Sequence, residues 1–93
     1  QRTKHGATVR VAYVAPDFSP ATVRYIEAIL AQPGVRLGLI TQQSPGSLSL
    51  AMRERIEAHV YVADAHDVHQ IADGVRGLSA TLGHPDMLVG YNK

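Results

Sequence analysis

The chain contains no cysteine and no tryptophan, and phenylalanine occurs once. Without cysteine there is no disulfide framework, no thiolate zinc site and no cysteine nucleophile. That composition fits a reducing compartment, and a cytoplasmic location is the expectation. No apolar run approaches the roughly 20 residues that span a bilayer, and no membrane partner is expected. Charge of one sign is missing too: nine basic and eight acidic side chains are scattered along the chain for a formal net charge of +1. No field of one sign exists to hold a phosphate backbone, and nucleic acid is not expected as a partner. The opening QRTKHGAT is polar and basic, with no apolar core behind it to make a signal peptide. Residues 1–8 are therefore expected to be a disordered or tag-like segment, and 9–93 a single domain. Ninety-three residues suffice for one small core. The missing initiator methionine and the ending at GYNK suggest a piece of a longer protein.

What is present is a regular alternation. Residues 9–15, VRVAYVA, are β-branched and only loosely alternating, as suits a strand covered on both faces. Ser19-Pro20 then supplies an N-cap hydroxyl and a proline at the first helical position, where a missing N–H is harmless. Val23, Ile26, Ile29 and Leu30 fall on one helical stripe, and Gln32-Pro33-Gly34 stops it. Residues 35–41, VRLGLIT, read as a second strand, followed by a polar turn-rich loop from Gln42 to Ser47. A second helix, Leu48 to Glu57, carries Leu48, Ala51, Met52 and Ile56 on one side, and a third strand follows over 58–63. Asp64 or Asp67 caps a third helix bearing Val68, Ile71, Ala72, Val75, Leu78 and Leu82 in step. Gly83 closes it, and 86–90 give a fourth strand.

Strands alternating with helices point to βαβ crossovers, right-handed and therefore few in topology. The fold class predicted is α/β: a three-layer, Rossmann-like domain with a mainly parallel four-stranded sheet and helices on both faces. The favoured strand order is 3-2-1-4, with 2-1-3-4 as competitor.

In open α/β sheets ligands bind beyond the carboxyl ends of the strands, which puts Asp17, Phe18 and Ser19 in a candidate loop. A helix N-terminus there offers free N–H groups to a carboxylate or phosphate. The loop lacks glycines, however, and neither G-x-G-x-x-G nor G-x-x-x-x-G-K-[ST] occurs in the chain. The plainer account is a turn and an N-cap, with Phe18 packing as a staple. Thr41 and Gln42 stand after the second strand, where a dinucleotide site wants an acid to hold ribose hydroxyls, so NAD is disfavoured. The run DAHDVHQ places Asp64, His66, Asp67 and His69 close together, but acids at a helix start and solvated histidines explain it without a metal. No G-x-S-x-G elbow appears, and no catalytic residue or metal ligand is assigned. Arg53-Glu54-Arg55 and Glu57 read as a solvated helix face, and Tyr13, Tyr25 and Tyr61 as packing residues.

Four pieces in order, VAYVAPDFSPATVRYIEAIL, RLGLITQQSP, RIEAHVYVADAHD and IADGVRGLSATLGHPDMLVG, resemble the N-terminal, pre-ATP-grasp domain of ATP-grasp ligases. Gly38 to Pro45, His59 to Asp64 and Gly83 to Gly90 carry the wording, and the resemblance runs from Val9 to Gly90. It implies a parent enzyme that activates a carboxylate as an acyl phosphate with ATP and Mg and lets an amine or thiol attack it. The nucleotide clamp and metal ligands would lie in the remaining ATP-grasp domains of the parent chain. This domain alone would be inactive and would supply one wall of the cleft for a small-molecule substrate. By position, Asp17, Phe18, Ser19, Thr41 and Gln42 would line that wall. A homodimer is a further option. The competing reading is a free-standing small-ligand or receiver-like signalling module. A receiver wants an acidic pair after the first strand, where this chain has Asp17 alone, and an acid after the third, where Asp64 stands.

Overall fold

The computed structural model describes residues 8–15, 17–42 and 48–90. Residues 1–7 of the expected N-terminal segment, Pro16, residues 43–47 of the loop and residues 91–93 lie outside the described residues. Strand β1 (Val9–Ala15) leads to helix α1 (Pro20–Leu30), strand β2 (Val35–Thr41) and the short helix α2 (Leu50–Arg55). Strand β3 (Ile56–Tyr61), helix α3 (Val68–Leu82) and strand β4 (Met87–Val89) complete the order.

The sheet has the order β3-β2-β1-β4, and every pairing is parallel. Of the two expected orders, 3-2-1-4 is the one adopted. β1 and β2 run in register from Val9↔Val35 to Ala15↔Thr41 without a slip. Both are buried over their last five residues, which is why their sequences read as apolar blocks rather than alternations.

The pleat sends alternate side chains to opposite layers. Val11, Tyr13, Ala15, Leu37 and Leu39 meet Ile26 and Leu30 of α1 and Leu48 and Met52 of the α2 region. Ala12, Val14 and Ile40 meet Ala65, Ile71 and Leu78 on the α3 side. Helices thus cover both faces, α1 and α2 on one and α3 on the other.

The ends of the elements follow local chemistry. Ser19 caps α1 through its side-chain oxygen, which accepts from Thr22 N, with Pro20 at the first helical position. Phe18, just outside the cap, and Val23, a turn inside, pack against the same core cluster, the arrangement of a hydrophobic staple. Asp67, rather than Asp64, caps α3 by accepting from His69 N. α3 lies close on the sheet because glycines face it from both sides. Gly38 of β2 sits under Leu78 and Leu82, and Gly74 of α3 sits over Ile40. Arg10 ties down the far end, its Nε donating to the Leu82 carbonyl and its backbone N–H to Asp86.

Three expectations shift. β3 spans Ile56–Tyr61 rather than 58–63, because α2 stops at Arg55 and Ile56 is already extended, with φ −89° and ψ 118°. Ala51 is exposed, and the stripe expected on α3 loses Val68 and Ala72, which face outward. Tyr61 is 64% exposed and is no core residue.

Candidate functional site

Parallel strands bring the loops after β1, β2 and β3 and the residue after β4 to one rim of the sheet. The five residues singled out from the sequence all lie there, in two groups of different character. In the first corner, Asp17 and Ser19 are exposed and Phe18 is half-buried. Asp17 Oδ1 accepts from Ser19 N at 3.2 Å, and Ser19 Oγ lies 3.0 Å from Thr22 Oγ1. Thr22 in turn hydrogen-bonds the Tyr13 side chain, whose hydroxyl is pushed above its ordinary pKa, mainly by burial. Tyr25 meets Tyr13 edge-on, ring centroids 5.4 Å apart. Tyr13 thus links the buried sheet to an exposed chain of hydroxyls at the start of α1.

Gly90 closes this corner from the β4 side. Its φ is +86°, and a Cβ there would collide with the Tyr13 ring and lie 2.7 Å from the Val14 carbonyl oxygen. Only glycine lets the chain leaving β4 pass so close to β1.

The second corner is built inward. Thr41 is fully buried; its carbonyl accepts from Val62 N at 2.8 Å, and its Oγ1 lies 2.7 Å from His59 Nε2. Partial burial lowers the pKa of His59, so the imidazole is neutral at pH 7. Gln42 Oε1 accepts from the N–H of Ala65, itself wholly buried, and so staples the β2 corner to the β3–α3 turn. Sequence reading missed His59 and the Gln42–Ala65 bond. No local pattern signals either, since the partners are 18 and 23 residues apart.

The His/Asp run beyond β3 is a set of turns and caps. Asp64 Oδ1 accepts from His66 N at 2.9 Å, and Asp67 Oδ1 accepts from His69 N at 2.8 Å. The bond from His69 holds the Asp67 carboxyl below its usual pKa. Among the described residues no three His, Asp or Glu side chains converge as a metal site. Neither phosphate-binding glycine pattern, G-x-G-x-x-G or G-x-x-x-x-G-K-[ST], occurs in the sequence. What the rim offers is hydrogen-bonding hydroxyls held by a rigid sheet. No helix among the described residues is long and apolar enough to cross a membrane.

No family model, no curated protein and no solved structure matches the chain.

Proposed function

We propose that this is the N-terminal, substrate-side domain of an ATP-grasp ligase, a cytoplasmic enzyme that joins a carboxylate to an amine or thiol through an acyl phosphate. The observation that carries the reading is the parallel 3-2-1-4 sheet, whose β1 and β2 corners end level on one rim. The support beside it is the wording shared with that family from Val9 to Gly90. On this reading ATP and Mg belong to the other domains of the parent chain, as the resemblance implies. This domain's own part is to wall the substrate cleft with the carboxylate of Asp17, the hydroxyl of Ser19 and the amide of Gln42, with Phe18 and Thr41 behind them. A receiver-like module is the weaker reading. A receiver wants an acidic pair after β1 to hold a divalent ion, and this chain has Asp17 alone there.

The test is to read and express the parent coding sequence. The full-length protein is expected to release ADP only when both a carboxylate and an acceptor amine or thiol are supplied, and the 93-residue chain is expected to bind no ATP. A coding sequence that closed at Lys93 would end the ligase reading.

A further inference from the structure

Among the described residues β3 is an edge strand, paired only with β2, and it carries a bulge. Leu37 is opposite Ile56, yet the next rung sets Gly38 opposite Ala58, so Glu57 is an extra residue. Strict alternation puts residues three apart on opposite faces; the inserted residue returns Ile56 and His59 to the same one, beside Leu37 and Leu39. That face belongs to α2, and α2 is only six residues long. It stops before covering its neighbour strand. A depression of about 180 Å³ remains, lined by Leu39, Arg53, Ile56, Glu57, Ala58 and His59.

The charges in this depression do not cancel. Glu57 Oε1 is taken by Arg36, whose Nε and terminal nitrogen approach it at 2.9 and 2.8 Å. The Arg53 side chain makes no ion pair or hydrogen bond among the described residues, so its guanidinium is the unmatched charge. His59 is oriented by its bond to Thr41, which occupies Nε2 and leaves Nδ1 as the second polar atom of the ring. Leu39 and Ile56 give an apolar floor. A cation, an oriented imidazole and a small greasy floor together suit an anion with a short hydrocarbon tail.

We propose that Arg53 and His59, on the floor of Leu39 and Ile56, form a binding niche for a small aliphatic carboxylate. The niche lies on the α2 side of β3, below the rim, and its occupancy does not depend on the ligase reading. The carboxylate faces the guanidinium, and a tail of two or three carbons lies over Ile56.

The experiment is an NMR titration of the 93-residue chain with sodium propionate, with sodium chloride at matched ionic strength as control. Saturable shifts are expected at the Arg53 Nε, the His59 ring and the Ile56 and Leu39 methyls, with a dissociation constant on the order of millimolar. Arg53→Gln should weaken binding by about two- to fivefold, the scale of one charged contact at an exposed site, and leave the thermal midpoint unchanged. Formate, which has the charge without the tail, should bind less tightly than propionate. Shifts linear in concentration, equal shifts with chloride, or shifts centred on Asp17–Ser19 would overturn the niche. So would unchanged affinity in Arg53→Gln.

Discussion

The corners after β1 and β2 occupy equivalent places in the fold and leave the sheet at the same level, but they have opposite characters. The first spends its polar groups on itself: Asp17 steadies Ser19, and Ser19 caps its own helix. The second spends them at a distance, with Thr41 reaching His59 and Gln42 reaching Ala65. A corner that bonds locally keeps its side chains at the surface. A corner that bonds across the fold becomes a structural joint. Equivalent topology therefore gives the first corner the better claim to meet a ligand and the second the better claim to hold the sheet together.

Substitutions sharpen that contrast. The largest effect is expected where β4 closes on the first corner. Gly90→Ala forces a side chain into a positive-φ position against the Tyr13 ring and should cost roughly 3 kcal/mol or more, read by chemical denaturation. At the second corner, Gln42→Ala leaves the buried Ala65 N–H without its acceptor and should cost about 1–3 kcal/mol by the same measurement. Ser19→Ala, at the first corner, loses only a helix cap, about 1 kcal/mol. If Ser19→Ala proved costlier than Gln42→Ala, the contrast between joint and surface would collapse.

Mild acid should act on the second corner, through His59. The folded pKa of His59 lies below its unfolded value, so the unfolded chain takes up a proton first as pH falls. The stability held above the unfolded value, about 6.5, is lost as pH drops toward the folded one. Thermal midpoints should decline gently on acidification through that window, and less so in His59→Gln. Equal slopes would show that His59 does not carry the effect. The smallest change is expected from Asp17→Asn, a few tenths of a kcal/mol, because its partner Ser19 N–H stays accessible to water.

Much of this was legible in the sequence, and for identifiable reasons. Ser19-Pro20 and Asp67 mark helix starts because capping is a local matter, settled within three residues of chain. β1 and β2 could be bounded to the residue because both are buried on two faces and flanked by turn formers. The limits of β3 could not. The apolar spacing that ran Leu48, Met52, Ile56 as one helical stripe is equally satisfied by a short helix and a strand meeting at Ile56, and the bulge at Glu57 leaves no mark in the pattern. The same bulge hid the candidate niche, since it alone brings His59 to the face of Arg53. Of the rim, the sequence could give the positions but not which hydroxyl is buried: Thr41 and Ser19 look alike until the fold sets His59 beside one and solvent beside the other.

The paired glycines between β2 and α3 have a mechanical result. Each element holds a socket for the other's branched side chain, Gly38 for Leu78 and Leu82, Gly74 for Ile40. Two interlocking sockets, one on each element, fix both the rotation and the lengthwise position of a cylinder. The helix thereby works as a gauge, delivering the chain that follows it to a single berth alongside β1.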